Sequence, residues 1–193
     1  RKAIELHNEV SRVITEIGDF RKLDNPPITG YEFHVIQLVS QVCPQRMILP
    51  YLQETLEELK TRKPEKKFPF RARIALVGSE VDDPEFTKLI EMCGAMVVAD
   101  RYCFGSFPSR EQIVIEDGES AFDAICRHYL HWNQCARFMD GMKIDQRHAV
   151  VSQLIDDFKA DEKEYSLGAV GQLRTRFQAF IESLEIKSIQ GGK

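Results

Sequence analysis

Residues 73 to 99 constrain this chain more than any other stretch, because they spell a strand, a helix and a second strand with hardly a residue to spare. Arg73-Ile74-Ala75-Leu76-Val77-Gly78 is a short apolar run of strand length. Asp82-Asp83-Pro84 follows as a helix start, with a carboxylate to accept the first open amides and proline at the first helical position, where no hydrogen bond is lost. The predicted helix runs from Pro84 to Cys93 and stops at Gly94. Ala95-Met96-Val97-Val98-Ala99 is then a second strand of the buried type. Two strands joined through a helix run parallel with a right-handed crossover, so the expected fold class is α/β around a parallel sheet.

The residues upstream read as helical. Ile4, Val10, Val13, Ile14 and Ile17 have helix spacing over residues 1 to 20, and Asn25-Pro26-Pro27 breaks the pattern before Thr29, a candidate cap. Further helices are expected over Tyr31 to Val42 and Pro44 to Leu59, and the charged stretch Lys60 to Lys67 reads as a linker. Two units follow from this: a helical segment with linker over 1–67, and an α/β domain over 68–193. Downstream, Asp100 to Ser109 reads as an irregular loop, and helices are expected over Glu119 to His131, His148 to Lys159 and Ala169 to Leu184.

Two strands are fewer than the roughly four to six of an ordinary open sheet. The charged helix end at Ala160 to Glu164 runs into Tyr165-Ser166-Leu167-Gly168 without turn signals, so an internal gap is expected near 160–165. The chain also opens on Arg1 directly into a helical pattern, as a segment from inside a longer polypeptide would.

Charge and apolar content remove several function classes. A formal net charge of -4 with both signs interspersed provides no basic stripe to follow a phosphate backbone, so nucleic acid is not an expected partner. No apolar run reaches the roughly 18 residues that span a bilayer, which makes a cytoplasmic chain without membrane contact the expectation. The five cysteines are odd in number, widely spaced and form no CxxC pair, which suits reduced thiols better than a disulfide framework.

Ligands of open parallel sheets bind beyond the carboxyl ends of the strands. Those ends are Gly78-Ser79 and the loop Asp100-Arg101-Tyr102-Cys103-Phe104-Gly105-Ser106. Cys103 in that loop suits a metal ligand or a thiol facing substrate, and equally a small buried hydrophobe. Gly78-Ser79 offers backbone amides to a phosphate but matches neither a Walker A loop nor GxGxxG. Cys135 lies near His128 and His131, which admits a mixed His/Cys metal site beside the plainer reading of helix-end packing residues. Cys93, Cys126 and Cys43 read as core or unremarkable positions.

Taken together, Arg73 to Ser79, Leu89 to Asp100 with its Cys93-Gly94-Ala95 turn, and Cys103-Phe104-Gly105-Ser106 resemble the second domain of the 2-hydroxyacyl-CoA dehydratase and benzoyl-CoA reductase family. Asn25-Pro26-Pro27-Ile28-Thr29-Gly30-Tyr31-Glu32 agrees with the family upstream, and Gly171 to Glu182 is similar to its closing helix. The resemblance implies a flavodoxin-like domain and a subunit that pairs with a homologous or identical partner. It also implies a [4Fe-4S] cluster, or a double-cubane [8Fe-9S] cluster in one branch, and an ATP-dependent iron–sulfur activator that supplies low-potential electrons. The implied chemistry is reduction or dehydration of an acyl-CoA thioester in an oxygen-sensitive enzyme.

The resemblance implies acyl-CoA contacts at Ser79, Gly105 and Ser106; the candidate metal ligands Cys103 and Cys135 rest on their own positions in the sequence, and beside the family Cys103 is a secondary or subfamily-specific ligand. The chain departs from the family at Asp100-Arg101, where two acids are common, and at Phe107, where arginine commonly follows the Gly-Ser pair. The family's principal cluster cysteines lie in an N-terminal domain and in a segment just before the closing helix, neither of which is recognisable here. The expectation is therefore a chain that omits both. A small-molecule reductase on the double-cubane cluster, or a non-catalytic assembly subunit on the same scaffold, are the alternatives.

Overall fold

A computed structural model describes residues 1–64, 70–78, 80–106, 111–131, 144–164 and 177–184. Helices α1 (Lys2–Asp19), α2 (Gly30–Val42) and α3 (Gln45–Thr61) come first, with a short 3-10 turn over Phe20–Lys22. Strand β1 (Ala72–Val77), helix α4 (Pro84–Met92) and strand β2 (Ala95–Arg101) follow, then α5 (Ala121–His131), α6 (Ile144–Asp157) and strand β3 (Glu162–Glu164). Residues 177–184 are helical.

Local chemistry explains the boundaries. Thr29 and Glu32 form a reciprocal capping box at the start of α2: the Thr29 hydroxyl accepts from the Glu32 amide at 3.1 Å, and Glu32 accepts from the Thr29 amide at 2.8 Å. The Asp83 carboxylate accepts from the Glu85 amide at 3.0 Å, with Pro84 in the first turn of α4. Gly94 ends α4 with φ of +97°, a left-handed conformation that side chains disfavour. These signals make the β1-α4-β2 unit, and the sheet pairs β1 with β2 in parallel as expected.

The sheet order is β2-β1-β3, all parallel, with β1 in the centre. That is the order of the first three strands of flavodoxin-like sheets. Helices cover both faces, the arrangement a parallel sheet requires. On one face Ala72, Ile74, Leu76, Ala95 and Val97 pack with Ile90 and Cys93 of the α4 end and with Phe177 and Ile181. On the other, Ala75, Met96 and Val98 meet Phe158, Leu154 and Ile155 from the α6 end.

The helical segment has its own core, where Val10, Val13, Ile14 and Ile17 of α1 face Ile48, Leu52, Leu56 and Leu59 of α3. It is fastened to the sheet by polar links. Glu91 accepts from the amides of Gly30 at 2.7 Å, Tyr31 at 3.2 Å and Val97 at 3.3 Å, so one carboxylate on α4 caps α2 and holds β2. Arg73 of β1 donates to the carbonyls of Arg21, Leu23, Phe158 and Lys159 at 2.8 to 3.1 Å, tying the end of α1 and the end of α6 to the central strand.

Three readings change. Asp100 and Arg101, expected in a loop, belong to β2. Helix α6 spans Ile144 to Asp157 rather than His148 to Lys159. Strand β3 occupies Glu162 to Glu164, where no strand was expected: its three residues are all charged and show no alternation, and it is held by pairing with β1 and by Asp161, whose carboxylate accepts from the Arg73 amide at 2.7 Å. Residues 65–67 of the linker with the two that follow, Tyr165 to Gly168 and the 169–176 part of the last expected helix lie outside the described residues.

Candidate functional site

Beyond the carboxyl end of β2 the chain turns tightly back on itself, and the turn is built around a buried ion pair. The register between β1 and β2 slips between Ile74 and Ala75, and Val98 and Ala99 both join the cluster on the α6 side. Such a slip re-aims the residues after it. Asp100, 2% exposed, is left facing Arg21, itself 2% exposed, and their charges meet at 2.9 Å. Burial alone would raise the Asp100 carboxyl, but the Arg21 guanidinium and the hydrogen bonds from Ser106 outweigh it and hold the group below its ordinary range.

The second Asp100 oxygen accepts from the Ser106 amide at 2.6 Å, and the Gly105 amide donates to the Tyr102 carbonyl at 3.0 Å. Gly105 is needed for this closure: a Cβ there would collide with the Asp100 carboxylate and lie 2.6 Å from the Tyr102 ring. The Ser106 hydroxyl accepts from the fully buried Gln37 side chain of α2 at 2.7 Å. The amides of Gly105 and Ser106 and the Ser106 hydroxyl are thus engaged inside the turn, which presents Cys103 and Phe104, both half-buried, at its bend.

Beneath the turn lies a second buried chain of polar groups. His34 of α2 stacks at a tilt on Tyr102, centroids 5.0 Å apart. Its Nε2 faces the Val81 carbonyl at 3.2 Å, which makes that nitrogen the donor and leaves Nδ1 to accept from Thr87 at 2.9 Å. Desolvation holds the imidazole below its ordinary value, so the ring is neutral near pH 7. Burial raises the Tyr102 phenol, and the neighbouring Asp100 charge raises it further. Neither Asp100, committed to its ion pair, nor Tyr102, held protonated, is placed as a general base.

Of the residues singled out in the sequence, Cys103, Gly105 and Ser106 come together in this turn. Gly78 ends β1 beside it, its amide donating to the Arg101 carbonyl at 3.2 Å. Ser79, Phe107 and Cys135 lie outside the described residues. His128 is 3% exposed and packs edge-on against Tyr129 and His7, centroids 5.1 and 6.4 Å away. Cys93 is buried in the sheet core, Cys43 is half-buried just after α2, and Cys126 is half-buried on α5.

A cubane cluster needs several thiolates converging on one point. Among the described residues, no group of three or more His, Cys, Asp or Glu side chains is arranged to hold a metal ion. The described part of the chain does not by itself fit such a cluster. No helix among the described residues is long and apolar enough to cross a membrane.

Arg21, His34 and Gln37 were not visible as site residues in the sequence, since their partners Asp100, Thr87 and Ser106 lie 79, 53 and 69 positions away, and Thr87 enters only through its contact with His34. No local pattern in the sequence marks any of the four as a site residue.

The model of the protein family described as 2-hydroxyglutaryl-CoA dehydratase, D-component, matches residues 1–161. No curated protein matches the chain.

Proposed function

The chain belongs to the 2-hydroxyglutaryl-CoA dehydratase D-component family, and from that premise we propose that it serves as a subunit of an oxygen-sensitive iron–sulfur enzyme that removes water from a 2-hydroxyacyl-CoA thioester. The observation that carries this reading is the family match across both the helical segment and the β1-α4-β2 unit, up to residue 161. The family's description favours dehydration over ring reduction. In this reading a homologous or identical subunit and an ATP-dependent iron–sulfur activator complete the assembly.

The acyl-CoA lies beyond the carboxyl ends of β1 and β2, where ligands of open parallel sheets bind. Gly105 and Ser106 set the shape of the surface it meets, fixed from below by Asp100 and Gln37. Ser79, which follows Gly78 in the sequence, is the third contact in this reading, and Cys103 faces the substrate or takes up iron. A [4Fe-4S] cluster supplies the electron chemistry when bound. Its full ligand set is not among the described residues.

Iron and acid-labile sulfide measured on the natural protein, purified without oxygen, test this reading. About four irons or more per polypeptide are expected, and an iron-free protein contradicts it. The Cys103→Ala variant assigns the thiol: lost iron makes it a ligand, while unchanged iron with a raised KM for the CoA ester makes it a substrate-facing group.

A further inference from the structure

The two banks of the crevice beyond the sheet, the loop after β1 and the turn after β2, are tied to one face of one helix. Helix α2 carries His34 and Gln37 three residues apart, which brings them side by side on its surface, and both are buried, at 1% and 0% exposure. Gln37 donates to the Ser106 hydroxyl in the turn after β2 at 2.7 Å, and His34 Nε2 donates to the Val81 carbonyl in the loop after β1 at 3.2 Å. The strand ends that carry these banks are neighbours, since Val77 and Arg101 are paired in the sheet.

The loop after β1 has little else to hold it. Glu80 and Asp82 are exposed, and Val81 adds a partly buried side chain against the sheet core. Among the described residues, no hydrogen bond other than the one from His34 joins Glu80, Val81 or Asp82 to a different element. The same imidazole accepts from Thr87 of α4 at 2.9 Å and stacks on Tyr102, centroids 5.0 Å apart. One side chain therefore touches the loop after β1, the helix that follows it and the turn after β2. Packing alone does not call for histidine here: phenylalanine would stack on Tyr102 as well, and would carry no buried polar atoms that need partners.

From the bond to Val81 and the stack on Tyr102, we propose that His34 is a positioning residue for the acyl-CoA site: it holds the loop after β1 at a fixed distance from the turn after β2, and so sets the width of the crevice that receives the thioester. The proposal rests on the acyl-CoA reading given above and goes beyond it by assigning a residue that acts through the loop rather than on the reacting atoms. The donor at Nε2 is the part of the ring that matters for this role, because it is the atom that reaches Val81.

Three substitutions separate the two ring nitrogens. His34→Gln keeps a donor near the Nε2 position and loses the acceptor for Thr87, His34→Asn keeps an acceptor near Nδ1 and loses the donor, and His34→Phe loses both. Two properties of the natural protein, purified without oxygen, are measured: hydrogen exchange of residues 80–86, where the Glu85 and Phe86 amides are bonded to Asp83, and the Kd for butyryl-CoA, a thioester without the 2-hydroxyl group that binds without being dehydrated. His34→Phe and His34→Asn are expected to speed the exchange and to weaken butyryl-CoA about tenfold, and His34→Gln to restore most of both. The Asn and Gln proteins keep the comparison whole should His34→Phe fail to fold. Exchange at the wild-type rate in folded His34→Asn, a loosened loop with unchanged affinity, or no recovery in His34→Gln would overturn the proposal while leaving the acyl-CoA reading in place. A wild-type protein that does not bind butyryl-CoA would overturn that reading, and the proposal with it.

Discussion

Arg21 and Asp100, 79 positions apart in the chain, meet at 2.9 Å with side chains only 3% and 1% exposed, and this pair fastens the end of the first helix beneath the turn after β2. Arg21 also stacks over Phe33 at 3.8 Å. A buried pair of this kind is not by itself strongly stabilising, but breaking it leaves one charge without compensation.

Arg21→Met and Asp100→Leu are each expected to cost about 3–5 kcal/mol of unfolding free energy. The double replacement is expected to cost clearly less than the sum, because it removes both charges. Urea denaturation of the four proteins gives the cycle, and single losses under about 1 kcal/mol would show that the pair is not buried in solution.

Gly105 and Gly78 make a matched comparison near the same strand ends. Alanine at 105 meets the Asp100 carboxylate and the Tyr102 ring, whereas alanine at 78 meets nothing within 4 Å. Gly105→Ala is expected to destabilise by about 1–3 kcal/mol, and Gly78→Ala to change stability by less than about 1 kcal/mol. Melting temperatures check the pair; equal shifts would mean that the turn does not close on Asp100.

Arg73 uses all three guanidinium nitrogens on backbone carbonyls from two distant segments. Lysine cannot reproduce that planar fork. Arg73→Lys is expected to cost about 2–4 kcal/mol and to speed hydrogen exchange at the Arg73 amide, which donates to Asp161 beside β3. Wild-type exchange there would contradict the role assigned to the guanidinium.

What could be read from the sequence was the part written locally. The Asp83-Pro84 start and the Gly94 stop bracket α4 within a residue, and the Thr29 cap places α2. Strand β3 could not be read that way, because Glu162-Lys163-Glu164 has no apolar alternation and exists through its pairing with β1. Asp100 misled for a related reason: an acid after an apolar run signals a loop, and only Arg21, far away in the chain, makes its burial tolerable. For the candidate site, Cys103, Gly105 and Ser106 were legible as a turn at a strand end. The residues that hold the turn, Arg21 and Gln37, come from helices whose packing no local pattern announces.

Glu91 gives a pH dependence with a definite sign. Its carboxyl is raised from 4.5 to about 7 in the folded chain, so its contribution to stability is whole below the unfolded value and is lost as pH rises through the folded one. The span corresponds to roughly 3 kcal/mol. His34, lowered by burial, acts in the opposite sense: what it contributes is present above its ordinary value of 6.5 and is lost as pH falls below that. The unfolding free energy of wild type minus that of Glu91→Gln cancels His34 and is expected to decrease between pH 4.5 and about 7. A difference that stays flat across that range would contradict the assignment.

The most direct test of the proposed function is turnover. The natural protein, purified without oxygen together with any subunit that co-purifies, is combined with a family activator, ATP and a strong reductant, and offered a set of 2-hydroxyacyl-CoA thioesters. Formation of the unsaturated acyl-CoA from at least one of them, dependent on ATP and abolished by air, is the result the account predicts. No dehydration of any thioester by a protein that carries no iron would contradict it.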